Sequence, residues 1–112
     1  MTLTFSPHIA LQVTRLEQAV QFYVDTLGME LVERMDSEVV LRCGSMTFHI
    51  EESPQGATFF EFETDDLAST RHQLLDGGCA VTPVTTPEGG TSYLVADPYG
   101  MRFHIYEPPL LP

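Results

Sequence analysis

The chain contains no lysine and no tryptophan, and its five basic residues, all arginines, stand against sixteen acidic residues. The formal net charge of −11 excludes a protein that binds nucleic acid by neutralising phosphates, because such binding needs a surplus of basic side chains. An acidic surface attracts cations, whether metal ions or cationic small molecules, and it also keeps a protein soluble. The composition therefore predicts that no nucleic acid is a partner.

Long apolar runs are also missing. No stretch approaches the roughly 20 apolar residues that a membrane-spanning helix needs. Residues 1–7 contain no basic segment followed by a long apolar stretch, so we expect no signal peptide, a cytoplasmic location and no membrane partner. The only two cysteines, Cys43 and Cys79, fall at non-equivalent places in the two halves, and we expect both to be free, buried thiols.

One short phrase occurs twice, as residues 46–52 and as residues 101–107, with Met, Phe, His and Ile at matching places. A repeat at about half the length of a 112-residue chain indicates one structural unit used twice. The length suits a single domain, and neither half is large enough to be stable alone. We predict one domain over residues 1–112, built from two modules, about residues 5–52 and 57–107, with a short linker.

Each half shows the same predicted order of elements, β-α-β-β-β. Alternation of apolar residues predicts the first strands, a capping box formed by Thr14 and Glu17 predicts the start of the first helix, and Asp65-Asp66 predict the start of the second. Gly28 and Gly77-Gly78 end the helices. The predicted strands cover residues 8–13, 29–35, 39–43, 46–51, 58–64, 80–84, 92–96 and 101–106, with a linker at 53–56 and a glycine-rich loop at 88–91.

Strand parity places three of the four histidines on the sheet face that points away from the helix. Phe48 and Ile50 take the helix side, so His49 points to the open face. His104 holds the equivalent place in the second half, and His8 lies opposite the apolar residues of the first strand. Histidine is the commonest metal ligand in proteins, so the pattern raises the hypothesis of a metal site.

Residues 7–13 and 19–29 resemble the opening of the vicinal oxygen chelate superfamily, which comprises glyoxalases, bleomycin-resistance proteins and extradiol dioxygenases. Residues 97–104, which begin with Asp97-Pro98-Tyr99-Gly100, resemble its closing turn and strand. The resemblance covers nearly the whole chain and extends over both halves. It implies an α+β fold of two tandem βαβββ modules whose mixed sheets curl into a cup.

The resemblance also implies four metal-ligand positions, which in this chain are His8, His49, Phe59 and His104. Phe59 cannot bind a metal, and His104 stands where a carboxylate is usual in the family. Three imidazoles favour a divalent transition metal, namely zinc, nickel, iron or copper, over magnesium or manganese, which prefer oxygen ligands.

Two acidic residues lie near these positions on the same strand faces. Glu61 is two residues beyond Phe59, and Glu51 is two residues beyond His49. Either can serve as an additional ligand, as a partner of a ligand or as the catalytic base. The expected substrate-binding residues on the open faces are Phe59, Tyr106, Arg102 and Gln12.

Two functions follow as hypotheses. The first is a metal-dependent lyase or isomerase of the glyoxalase kind, acting on a small molecule with adjacent oxygen atoms, in which the metal is a Lewis acid. Extradiol dioxygenation fits less well, because its set of two histidines and a carboxylate is incomplete. The second is a non-catalytic protein that sequesters a cationic small molecule, as bleomycin-resistance proteins do. The resemblance further implies a homodimer, with modules pairing either within one chain or between two.

Overall fold

The computed structural model describes residues 3–85 and 90–108, and in that part of the chain it forms eight strands and two helices. The predicted α+β class and the order β-α-β-β-β in each half are confirmed. The helices are α1 (Leu16–Asp25) and α2 (Leu67–Asp76). The strands are β1 (Leu3–Val13), β2 (Glu30–Arg34), β3 (Val39–Cys43), β4 (Met46–Glu52), β5 (Ala57–Thr64), β6 (Ala80–Thr85), β7 (Thr91–Ala96) and β8 (Arg102–Tyr106).

The first two residues of the predicted glycine-rich loop at 88–91 lie outside the described residues, as does the end of the chain beyond Pro108. Within the described ranges, neither helix has the length and apolar character that crossing a bilayer requires. The chain forms two compact units. The first unit is Pro7–Phe59, and the second unit joins the start of β1 to the described residues from Phe60 onward.

In the first unit the strand order is β2-β3-β4-β1, with β1 and β4 parallel and the other neighbours antiparallel. One face of this sheet packs on α1, because the apolar residues of the strands alternate and those of the helix form one stripe. The buried centre of this core consists of Val20, Val39, Leu41 and Ile50. Residues that pack around it are Leu11, Val13, Leu16, Tyr23, Val24, Met29 and Phe48.

In the second unit the strand order is β5-β8-β7-β6, with β5 and β8 parallel and the other neighbours antiparallel. Val95, Phe103 and Ile105 form the buried centre of its core. The side chains around them come from the strands, from α2 and from the segment after α2, namely Phe62, Leu67, Leu74, Cys79, Val81 and Tyr93.

The start of α1 differs from the prediction. Arg15, not Thr14, occupies the N-cap position, and no side chain there bonds to the helix. The carboxylate of Glu52 instead accepts a hydrogen bond from the Leu16 backbone N–H at 3.0 Å. The reason is tertiary: β1 and β4 pair in register up to Val13 and Glu52, which brings the end of β4 to the start of the helix.

The start of α2 is capped by a residue next to it in sequence and also, like the start of α1, by a glutamate far away in sequence. The Asp66 carboxylate accepts from the Ser69 backbone N–H at 3.0 Å, which confirms the predicted start and lowers the pKa of that carboxyl group. The Leu67 backbone N–H donates to Glu107 at 2.8 Å. Glu52 and Glu107 occupy the same place in the two copies of the repeated phrase, so both copies end on a glutamate that binds a helix N-terminus.

The turn between β7 and β8 is stabilised by the side chain of one aspartate and by the backbone conformation of one glycine. The Asp97 carboxylate accepts hydrogen bonds from the backbone N–H groups of Tyr99, at 2.8 Å, and Met101, at 2.9 Å. Gly100 has a φ of +103°, a conformation that residues with a Cβ rarely adopt. This turn brings the chain back into β8 antiparallel to β7, which sets the position of His104.

The two cysteines are free, as predicted, but the prediction that both are buried is wrong. Cys43 is exposed, because it is the last residue of β3 and lies beside the turn rather than beneath α1. Cys79 is partly buried against the core of the second unit. Burial, together with the negative charge of Asp97, raises the pKa of the Cys79 thiol.

We expect Cys43 to react with a disulfide reagent faster than Cys79 in the native protein at neutral pH. The thiolate is the reactive form, and a buried thiol with a raised pKa supplies less of it. Absorbance traces of the wild type should show a fast and a slow phase. Cys43→Ser should remove the fast phase and Cys79→Ser the slow one; the opposite assignment would contradict this account.

Candidate functional site

The registers of the first unit place a set of polar residues on the face opposite α1. Residues paired across neighbouring strands share a face, and β1 pairs Ala10 with His49 and His8 with Thr47. On the other side of β4, Val40 of β3 pairs with His49. The prediction that His8 and His49 point away from the helix is therefore confirmed, and parity places both beside each other on the open face.

The two imidazoles are in direct contact. The Nδ1 atom of His8 lies 2.7 Å from Nε2 of His49, and the ring centroids are 4.9 Å apart with an interplanar angle of 23°. Both side chains are half-buried. At this distance one of the two facing nitrogens carries a hydrogen atom and the other accepts it, so the two rings form one hydrogen bond.

The donor set of this pair fits a transition-metal ion. Two nitrogens on a tetrahedral zinc ion, at about 2.0–2.1 Å from the metal, stand about 3.3 Å apart. The His8–His49 contact of 2.7 Å is thus shorter than a ligand pair by about 0.6 Å. Rotation of the two half-buried rings would have to supply that separation. Imidazole nitrogen is a good ligand for zinc, nickel, iron and copper.

A carboxylate that the sequence analysis did not identify adjoins this pair. The Oε1 atom of Glu38 lies 3.4 Å from Nδ1 of His49. Glu38 directly precedes β3 and shares strand parity with Val40, which is paired with His49. This parity is the only feature of the sequence that could have identified Glu38. It points to His49 only once the pairing of β3 with β4 is known.

The candidate base Glu51 and the candidate substrate-binding residue Gln12 contact each other. The side-chain amide of Gln12 donates to the Glu51 carboxylate at 3.1 Å, and the two residues are partners in the β1–β4 register. Glu51 is exposed. The amide holds the carboxylate near the open face without removing it from water.

In the second unit, both ring nitrogens of His104 have partners. Nε2 lies 2.8 Å from the hydroxyl of Ser92, and Nδ1 lies 3.4 Å from the Glu61 carboxylate. Ser92 is buried, whereas His104 and Glu61 are half-buried. The β5–β8 register pairs Glu61 with His104, so parity correctly places them on one face. Binding of a metal through Nε2 would require the contact with Ser92 to open.

Tyr106 adjoins His104 on the same strand face. Its ring stacks on the imidazole, with centroids 5.6 Å apart, and its hydroxyl donates to Glu63 at 3.1 Å. Burial is the main cause of the raised pKa of this phenol, and the charge of Glu63 adds to it, while a hydrogen bond with Ser6 acts in the opposite direction. Tyr106 is therefore a neutral hydrogen-bond donor at physiological pH.

The two remaining candidates differ in access. Phe59 is only 9% exposed, so little of its ring is available as a wall for a ligand. Arg102 is exposed at the start of β8, where it pairs with Ala96. Its spacing of two residues from His104 places it on the same strand face.

A wide groove of about 540 Å³ lies in the first unit at the start of α1, away from the histidine pair. Gln12, Arg15 and Phe22 are among its lining residues. The groove is open to solvent and is lined by an arginine, which disfavours a cationic ligand there. None of the candidate metal ligands is among its lining residues.

A model of one protein family matches residues 6–105, which include both helices and every candidate residue except Tyr106. The chain belongs to the Glyoxalase/Bleomycin resistance protein/Dioxygenase superfamily. The resemblance of residues 7–13, 19–29 and 97–104 is thereby confirmed. Membership in this superfamily supports a small-molecule-binding role, and it leaves the type of reaction to be proposed. No curated protein matches the chain.

Solved structures share the fold of this superfamily member at low sequence identity. A hypothetical protein from Bacillus halodurans C-125 is 14% identical, with a TM-score of 0.70, over 100% of this chain and 99% of its own. Methylmalonyl-CoA epimerase from Mycobacterium tuberculosis is 17% identical, with a TM-score of 0.62, over 92% of this chain and 87% of its own. These likenesses show the fold alone.

A homoprotocatechuate 2,3-dioxygenase from Arthrobacter globiformis is 22% identical, with a TM-score of 0.65. The match covers 94% of this chain but only 36% of the dioxygenase. The chain therefore spans about a third of the dioxygenase chain that it matches. The likeness again shows the fold and carries no statement about the reaction.

Proposed function

We propose that this protein is a metal-dependent enzyme of the glyoxalase kind, a lyase or isomerase that acts on a small molecule with adjacent oxygen atoms. The observation that carries the proposal is the 2.7 Å approach of His8 Nδ1 to His49 Nε2 on the open face of the first unit. Two imidazole nitrogens that converge in this way favour a divalent transition metal, either zinc, nickel, iron or copper.

His8 and His49 would hold the metal, and the family pattern assigns His104 as a further ligand. That assignment rests on the family pattern alone, since His104 contacts Ser92 and Glu61 within its own unit. A bound metal supplies Lewis acidity, which polarises a carbonyl group of a substrate. A neutral set of histidines leaves most of the charge of the ion available for that purpose.

The chain's own carboxylates would move the proton. Glu51 is exposed and held by the Gln12 amide, whereas Glu61 is half-buried and lies 3.4 Å from an imidazole nitrogen of His104. The contact with His104 gives Glu61 a partner that can share a proton, which favours Glu61 over Glu51 as the base. Tyr106 donates its only hydroxyl hydrogen to Glu63, so the phenol could orient a substrate as a hydrogen-bond acceptor, or as a donor only after that contact opens.

A second candidate function is a protein that binds a cationic small molecule without catalysis. The net charge of −11 and the acidic residues Glu61 and Glu63 on one strand face favour it, and so does a phenylalanine at a family ligand position. A homodimer is part of both proposals, as the resemblance implies.

The deciding experiment is metal binding by the intact, untagged protein. We expect elemental analysis and zinc titration to give about one transition-metal ion per protein chain. Binding should be weaker in His104→Ala if the family assignment of that residue holds. Thermal shifts with zinc, nickel, iron and copper are compared with shifts by cationic drugs, since a ligand of the native state raises the melting temperature. Shifts with cationic drugs and none with any metal would refute the enzyme and support the binding protein.

A further inference from the structure

A carboxylate stands behind the imidazole that contacts His8. Glu38 Oε1 lies 3.4 Å from Nδ1 of His49, while Nε2, on the other side of the same ring, contacts His8. We propose that Glu38 is a positioning residue, which keeps the hydrogen of His49 on Nδ1 and directs the Nε2 lone pair towards His8. Glu38 is not among the ligand positions that the family pattern implies.

The backbone holds Glu38 in this place. Its carbonyl oxygen accepts a hydrogen bond from the Met35 backbone N–H at 2.8 Å, which closes the turn between β2 and β3. The next residue, Val39, is already paired with Ile50 of β4, one step from His49. The Glu38 side chain is 31% exposed and that of His49 is 27% exposed, so water screens the contact only in part.

The direction of the effect follows from what a carboxylate can do. A negatively charged carboxylate attracts an N–H and repels a nitrogen lone pair, so it favours the His49 tautomer with hydrogen on Nδ1. Nε2 of His49 then carries the lone pair, and in the 2.7 Å contact Nδ1 of His8 is the donor. Because 3.4 Å is long for a hydrogen bond, the effect comes from attraction between the charge of Glu38 and the ring N–H.

This arrangement prepares a cation site before any cation arrives. Nε2 of His49 already carries a lone pair directed towards His8. Only His8 then has to lose the hydrogen on its Nδ1 or move it to its other ring nitrogen. The negative charge of Glu38 also offsets part of the charge of an ion bound by the two imidazoles. A histidine that ligates a metal through one nitrogen and bonds a carboxylate through the other is held in orientation and is more basic.

The tautomer of His49 tests the inference without any metal. Long-range proton–nitrogen NMR spectra of the metal-free protein, assigned with His49→Ala, should show hydrogen on Nδ1 in the wild type. Glu38→Ala should raise the share of the Nε2–H tautomer. An identical tautomer in both proteins would overturn the inference, and Glu38→Gln serves the same comparison if the alanine variant does not fold.

The metal part of the inference rests on the proposed function and is measured separately. Chelator competition with zinc should show an affinity loss of about 10- to 100-fold in Glu38→Ala. Glu33→Gln is the matched control, since it removes one negative charge from exposed β2 at a residue that takes part in none of the ion pairs of the described residues. It should bind zinc as the wild type does.

The outcomes distinguish the two claims. A wild type that binds no zinc, combined with a tautomer shift in Glu38→Ala, would refute the proposed function and support the positioning role. Equal zinc affinity in Glu38→Ala and the wild type would overturn the contribution of Glu38 to metal binding. Equal losses in Glu38→Ala and Glu33→Gln would show a general charge effect and would also overturn it.

Discussion

His49→Ala is expected to lower the affinity for zinc by more than about 100-fold, because it removes a proposed ligand rather than a partner of one. His8→Ala should have an effect of the same size, since its Nδ1 lies 2.7 Å from His49 Nε2 and the two nitrogens form one site. The measurement is competition with a chromophoric chelator at fixed pH, carried out on metal-free protein. The double variant should lose little more than either single variant, because residues of one site are not additive.

His72→Ala is the matched control for these variants. His72 is exposed on α2 and shares no strand face with the other histidines, so its loss should leave zinc affinity unchanged. Equal weakening in His72→Ala and His49→Ala would mean that the ion binds surface imidazoles in general. Retention of tight binding in both His8→Ala and His49→Ala would refute the site.

Leu41→Ala is expected to lower the free energy of unfolding by about 3–4 kcal/mol. Leu41 is fully buried on β3, between β2 and β4, and belongs to the core that packs on α1. Its truncation removes apolar contacts and leaves a cavity at the buried centre of a small core. Urea denaturation of both proteins measures the difference.

Leu31→Ala provides the control on the neighbouring strand. Leu31 is the register partner of Leu41, but its side chain is 48% exposed, so its truncation should cost less than about 1 kcal/mol. Similar losses in the two variants would contradict the assignment of the core. Should Leu41→Ala fail to fold, Leu41→Val offers a smaller cavity, with a loss of about 1 kcal/mol.

Strand parity predicted the histidine faces correctly because it depends on local geometry alone. Side chains alternate along any strand, so the apolar neighbours Phe48 and Ile50 were enough to place His49 on the open face. The same reasoning placed Glu61 on the face that Phe59 shares, but only the structure shows that Glu61 and His104 are register partners. The start of α2 at Asp66 was predictable for a similar reason, since its cap is formed within three residues.

Contacts between distant segments were not predictable from local patterns. The cap of α1 comes from Glu52 and not from Thr14, because β4 ends beside the helix once it pairs with β1. The exposure of Cys43 depends on where β3 leaves the cover of α1, which its apolar neighbours in sequence do not reveal. The contact of Glu38 with His49 likewise exists only because β3 and β4 pair in one particular register.

The sequence by itself determined the class of fold, the order of elements, the superfamily and the strand face on which each candidate side chain lies. These properties depend on periodicity, turn residues and a family pattern, all of which act over short stretches of chain. Only the tertiary structure decided which nitrogen of His49 faces His8, which carboxylate stands behind it, and that Ser92 and Glu61 take both nitrogens of His104. The physical reason is that such contacts depend on strand register and on side-chain rotamers, and both are set by packing between segments far apart in the chain.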